Sequence, residues 1–286
     1  MKLSKKQKLF LQLYKTKFNT ISLFSKRKAA KSLFELFCTP YSGKPKRKIP
    51  AFFNRSSKLQ FTYNGYKING WKWTPENYNG KKVLVAHGFD SCCYKSEAII
   101  HKLFLTGFEV MAFDAMGHGE SEGKTIHAKQ YAECLVLINK EFGQLHGIVG
   151  HSFAGLAICL AVEEELKDIE KIVLIAPASE TTRAIDNFFE FLKMPINLKP
   201  ELIKHIFEQS GNSPEFYSVP RALDNITSKV LWVHDKKDFI CPIEDTIATQ
   251  EKNKPNIEFY ITSGLGHNAI YRNPNVLQKI AFFLYE

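Results

Sequence analysis

Residues 147–158 read GIVGHSFAGLAI, an apolar run broken at its centre by Gly150, His151 and Ser152. An ordinary core segment would carry another Val or Leu where Ser152 stands. The bland reading is a strand that ends and a helix that begins, with a Ser near the N-cap. The sharper reading is a nucleophile elbow: a strand turns abruptly into a helix and holds Ser at a strained, exposed apex. That geometry demands small residues two before and two after the Ser. Gly150 and Ala154 fill those places and Gly155 follows, so the pattern is G-x-S-x-A in place of G-x-S-x-G. A chance match to Gly-x-Ser-x-small in a chain of this length has odds of about one in five, so the surroundings must decide.

Outward from that stretch, VLVA (83–86), EVMAFDAMGHGES (109–121), KIVLIAPAS (171–179), KVLWVHD (229–235) and IEFYITSG (257–264) repeat its form, apolar runs that give way to polar or Gly-rich residues. Their lack of alternation predicts strands buried on both faces. Between most of them lie segments of helical length, such as 93–107 and 127–143. The order predicts an α/β chain with a mainly parallel, doubly wound sheet and helices on both faces. Asn64-Gly65, inside KLQFTYNGYKINGWKW (58–73), predicts an opening antiparallel hairpin. Chemistry in such sheets sits beyond the carboxyl ends of the strands, where His87, Asp114, Ser152, Asp235, Asp238 and His267 fall. One connection is long: about fifty residues, 178–228, separate two core strands and hold two candidate amphipathic helices, AIDNFFEFLKMP and ELIKHIFEQS. They read as a helical cap insertion. The expected organisation is a basic arm and linker over 1–57 and one domain over 58–286, with its cap at about 178–228.

The chain has 286 residues, 44% of them hydrophobic, enough for one large core. No run approaches the ~18 apolar residues of a membrane span. LFLQLY near the N-terminus is too short and polar for a signal-peptide core, and no small-residue cleavage site follows. Six cysteines without paired C-x-x-C spacing fit a reducing, cytoplasmic setting, and Cys134 and Cys159 read as small core residues. The nine histidines are scattered, so neither a metal nor another cofactor is expected. The net charge of +10 is uneven: residues 1–50 carry 14 Lys or Arg against the single acid Glu35. Lysines there alternate with Phe10, Leu13, Phe18, Ile21, Phe24, Leu33, Phe34 and Phe37 at helical spacing. The arm is read in two ways, as a helix packed on the protein with Lys outside, or as one lying peripherally on an anionic membrane; nucleic acid is not an expected partner. KPKRKIP (44–50) reads as the linker that follows.

Ser152, Asp238 and His267 occur in the order nucleophile, acid, base. Ser is a weak nucleophile until an imidazole takes its proton, and a carboxylate on the far nitrogen fixes the tautomer and stabilises the imidazolium. VHDKKDFICP (233–242) supplies two acids, Asp235 and Asp238. With HGFD (87–90), FDAMGHGES (113–121), GHSFAG (150–155), VHDKKDFICP and GLGH (264–267), the chain resembles the α/β-hydrolase family over about residues 58–286.

That resemblance implies a Ser–His–acid hydrolase whose oxyanion hole is formed by the backbone amides of Phe89 and Phe153. In FDAMGHGES it implies a turn near the site shaped by Asp114, Gly117, Gly119 and Ser121. The family's H-G-x-x-D-x-x-x-P aligns Asp238 with the acid and leaves Asp235 where Gly is usual. His87, His118 and His151 are then supports for nearby turns. The expected reaction is cleavage of a small or medium apolar carboxylic ester through an acyl-enzyme on Ser152. Amidase or peptidase, thioesterase and lipase readings share the triad, and a non-catalytic binding protein of the same fold is the alternative of a different class. Phe188, Phe189, Phe191, Leu192, Met194, Ile206 and Phe207 of the cap, with Phe89 and Phe153, are expected to line an apolar acyl pocket.

Overall fold

Asn64 and Gly65 adopt φ of 50° and 80°, the left-handed pair that a two-residue primed turn requires. They join β1 (Ser57–Tyr63) to β2 (Tyr66–Trp73) in an antiparallel register that sets Tyr63 opposite Tyr66. Then come β3 (Lys82–Ala86), β4 (Glu109–Phe113), β5 (Gly147–His151), β6 (Lys171–Ile175), β7 (Lys229–Asp235) and β8 (Ile257–Thr262). The sheet order is β1-β2-β4-β3-β5-β6-β7-β8. β2 meets β4 antiparallel, and every later pair is parallel. The computed structural model describes residues 5–41 and 48–286, so most of the linker 44–50 and the side chain of Phe10 lie outside the described residues.

The helices are α1 (Lys5–Phe24), α2 (Lys26–Phe37), α3 (Glu97–Leu105), α4 (Ala128–Phe142), α5 (Phe153–Glu164), α6 (Thr181–Leu192), α7 (Lys199–Ser210), α8 (Val219–Leu223), α9 (Ile247–Glu251), α10 (Gly266–Ala269) and α11 (Pro274–Tyr285). They divide between two compact units.

In the sheet unit, every residue of β4 and β6 is buried, as covering helices on both faces require. Cys134 and Cys159 are buried in α4 and α5. One end of the core is aromatic: the Phe53 ring stands edge-on to Trp73 at 4.8 Å and to Tyr94 at 4.9 Å, and the Trp73 indole donates to the Phe52 carbonyl at 3.3 Å. Burying rings of this size contributes about 1.5–3 kcal/mol each. Residues 51–57 therefore serve the sheet and are more than a linker. α8 also belongs here, because Arg221 grips the Glu163 carboxylate of α5 with both guanidinium nitrogens, one at 2.7 Å. The chain leaves this unit after Ser179 and re-enters at Val219, whose amide donates to the Ser179 carbonyl at 2.8 Å. The insertion thus ends about ten residues before the boundary read from the sequence.

The second unit combines α1 and α2 with α6 and α7. Ser25 caps α2 by accepting the Lys28 amide at 3.2 Å, and the buried residues Ala29, Ala30 and Leu33 give α2 a thin apolar face. Across from it, Phe34 meets the His205 ring edge-on at 5.4 Å and Phe37 meets Phe188 at 5.2 Å. Arg27 lies 3.4 Å from Glu208. Phe188, Phe189, Leu192, Met194 and Ile206 are buried, whereas Phe191 and Phe207 are exposed. Phe188 thus binds the arm helices to the insertion helices.

Candidate active site

Ser152 stands between the end of β5 and the start of α5 with φ 56° and ψ −121°, a conformation that costs a residue with a Cβ on the order of 1–3 kcal/mol. Neighbouring backbone holds it there. Its amide donates to the Ile175 carbonyl at 3.0 Å, and its own carbonyl accepts from Gly155 at 2.9 Å and Ala178 at 3.0 Å. A Cβ at Gly150 would run into Ile158 and press on the Ala154 carbonyl carbon at 3.1 Å. Ala154 is itself fully buried. The small residues flanking Ser152 are therefore a packing requirement.

His267 projects from the loop after β8, at the start of α10. Its Nε2 lies 3.0 Å from Ser152 Oγ and its Nδ1 2.7 Å from Asp238 Oδ2. The other oxygen of Asp238 accepts the amides of Ile240 and Cys241, each at 2.9 Å. Burial pushes the Asp238 carboxyl up, but the bonds from His267, Cys241 and Ile240 outweigh it and hold the group below the usual carboxylate range. Of the two acids in 233–242, the structure brings Asp238 to the imidazole. Asp235 does something the sequence reading missed: it anchors the His267 loop. Its carboxylate accepts the Thr262 hydroxyl at 2.7 Å and the amides of Lys237, Leu265 and Gly264 at 2.9, 3.0 and 3.1 Å. Despite burial, these donors bring it to about 2.

Three further histidines brace the surrounding turns. His87 Nδ1 faces the Gly88 carbonyl at 2.8 Å while its Nε2 accepts the Ala115 amide at 3.0 Å, which assigns a neutral ring protonated at Nδ1. His118 repeats the pattern, donating to the Met116 carbonyl at 3.0 Å and accepting the Asp90 amide at 3.1 Å. His151 Nε2 meets the His267 carbonyl at 2.9 Å, and its ring lies 4.6 Å from both the His267 and Tyr271 rings. Around the two residues expected to donate amides, Phe89 and Phe153 meet edge-on at 5.6 Å. Tyr131 lies 5.8 Å from Phe153 and donates its hydroxyl to the His87 carbonyl at 3.0 Å. As the first residue of α5, Phe153 has an amide with no acceptor inside its helix. Asp114 stays away from the imidazole and closes the 113–121 turn, accepting Cys93 and Glu120 amides at 2.8 and 2.7 Å. Gly119, at φ 50°, leaves room for that carboxylate, onto which a Cβ would fall. Among the described residues, no cluster of His, Cys, Asp and Glu is arranged to hold a metal.

Burial gives the bracing histidines an acid liability. It lowers His87 and His118 from 6.5 to about 4 and His151 to about 3. Because the unfolded chain takes up these protons first, the stabilisation is full above about pH 6.5 and is lost as pH falls toward 4. The upper limit is about 3 kcal/mol for His87 and for His118 and about 5 kcal/mol for His151. The Asp235 contribution is lost only below about 4, its ordinary value being 3.8. The urea midpoint is therefore expected to drop between pH 6.5 and 4.5, and a flat midpoint across that interval would contradict the neutral buried rings.

A family model described as serine aminopeptidase, S33, matches residues 79–209. An esterase from Pyrococcus furiosus superposes with a TM-score of 0.64 at 20% identity, covering 85% of this chain and 97% of its own. A lipase assigned as putative from Acinetobacter baumannii gives 0.62 at 17% identity over 84% of this chain and 98% of that one. The chain has the α/β-hydrolase fold. A bacterial membrane phospholipase A also superposes on this chain, at 0.62 and 16% identity, over 99% of this chain and 98% of its own. At such identities the likeness is one of fold.

Proposed function

We propose that this α/β-hydrolase cleaves carboxylic esters through an acyl-enzyme on Ser152. The observation that carries the reading is the unbroken line from Ser152 Oγ to His267 Nε2 at 3.0 Å and from His267 Nδ1 to Asp238 at 2.7 Å. His267 takes the hydroxyl proton as Oγ adds to the ester carbonyl, and the backbone amides of Phe89 and Phe153 donate to the resulting oxyanion. The imidazolium, stabilised by ionised Asp238, returns the proton to the departing alkoxide, so an alcohol leaves and the acyl group remains on Oγ. Water deprotonated by His267 then adds to the acyl carbon, and collapse releases the acid and restores Ser152. The esterase and lipase among the structural neighbours support this reading. The aminopeptidase description of the matching model keeps an amidase reading as its competitor. All six cysteines are free and buried, which supports a reducing, cytoplasmic setting.

The rings of Phe89 and Phe153, which meet edge-on and belong to the two residues expected to donate amides to the oxyanion, favour an apolar acyl group. A buried methylene contributes about 0.8 kcal/mol, so kcat/KM for p-nitrophenyl esters is expected to rise about fourfold per added carbon from acetate until the site is full. The matching anilides should turn over far more slowly. A flat or falling series, or faster anilides, would overturn the apolar-ester reading. A chain that neither turns over any ester nor reacts with an alkyl phosphonate at Ser152 would be a binding protein.

A further inference from the structure

Among the described residues, the packing of α1 and α2 leaves several large apolar side chains of α1 exposed. On α1, Phe18 is fully buried. Leu13, Leu23 and Phe24 are 61%, 84% and 86% exposed. Positions 13, 20 and 24 fall on one face of a helix, with 23 beside them. Leu23 and Phe24 end α1 at its corner with α2, and exposed Lys26, Arg27 and Lys28 follow immediately. An apolar tip ringed by cations is poorly suited to water or to a basic partner. It matches a surface with hydrocarbon below and negative charge above. Glu35 is the one acid among residues 1–50. Among the described residues no helix is long and apolar enough to cross a membrane. We infer that the α1–α2 corner docks on an anionic lipid bilayer, with Leu23 and Phe24 entering the headgroup–acyl boundary and Lys26 and Lys28 lying against lipid phosphates. The packed and the membrane-surface readings of the arm then describe opposite faces of the same helices.

The full chain is tested by co-sedimentation with vesicles of phosphatidylcholine alone and of phosphatidylcholine with phosphatidylglycerol at equal ratio. It should sediment with the anionic vesicles in low salt and be released in high salt, as screening requires. Leu23→Ser/Phe24→Ser should lower partitioning at least tenfold. Lys26→Gln/Lys28→Gln should lower it by about fivefold for each charge removed. Both variants should keep the wild-type melting temperature and soluble-ester turnover. Absence of sedimentation, or equal binding to neutral vesicles, overturns the proposal. So does binding that survives Leu23→Ser/Phe24→Ser and is lost in Phe239→Ser, since Phe239 is 92% exposed on the sheet unit. A change of oligomeric state in the corner variants without vesicle binding by the wild type also overturns it, in favour of a second copy of the chain. Failure of ester turnover leaves the vesicle result standing, so the two proposals are judged separately.

Discussion

Replacing Ser152 with Ala is expected to lower kcat/KM for a soluble ester by about a thousandfold or more while the protein stays folded. The loss is of that order because, in the proposed mechanism, no other group supplies the nucleophile, and the amides proposed for the oxyanion retain only their own share of transition-state stabilisation. Stability should hardly move. Ala keeps the Cβ, so the strain at φ 56° remains, and the hydroxyl lost is half-buried with its bond to His267. His267→Ala should cost as much, and the double variant scarcely more, since the residues act as a unit. An alkyl phosphonate should label the wild type and leave Ser152→Ala untouched. Near-normal turnover by Ser152→Ala would end the acyl-enzyme reading.

The two loop acids should fail in different ways. Asp238→Asn presents an amide that cannot hold the imidazole in the required tautomer, and the expected loss is up to about ten-thousandfold in kcat. The Ile240 and Cys241 amides can still find the amide oxygen, so the melting temperature should change little. Asp235→Asn keeps one acceptor oxygen where four donors converge, and its NH2 would face N–H groups. Stranded buried donors cost about 1–3 kcal/mol each, so a fall of about 5 °C or more in melting temperature is expected. Activity should fall by less than in Asp238→Asn. Steady-state kinetics beside thermal melts of the two variants checks the pattern; the reverse result would make Asp235 the partner of His267.

What the sequence reveals follows from how local each feature is. The hairpin is legible because Asn64-Gly65 carries its own backbone geometry, and the inner strands because burial on both faces leaves runs without alternation. Ser152 is legible because the elbow writes its small neighbours into adjacent positions. Asp235 and Asp238 are not separable by residue type, since they are the same side chain three positions apart. What distinguishes them is which donors reach each from the loop 27–30 residues later. The His151 bond to the His267 carbonyl spans 116 positions, and the packing of α2 on α7 joins residues whose helical patterns look complete alone. Exposure at the α1–α2 corner was hidden for the same reason, because a helical pattern shows that an apolar face exists and not how much of it is used.

The clasp at the base of the insertion, with Val219 bound to Ser179 and Glu180 bridged to Ser218, brings its two ends together like the stem of a graft. Ser152, Asp238 and His267, with Phe89 and Phe153, all belong to the sheet unit. The length and sequence of residues 180–218 can therefore drift without stretching the scaffold that holds Ser152, His267 and Asp238 in hydrogen-bond contact. That freedom has a tether. Phe37 against Phe188, Phe34 against His205 and Arg27 beside Glu208 tie the insertion to the start of the chain. A chimaera that imports a foreign insertion alone inherits mismatched helix faces, whereas one that carries arm and insertion together transfers a matched pair. In lineage terms, the two ends of this module, far apart in the chain, are under pressure to change as one.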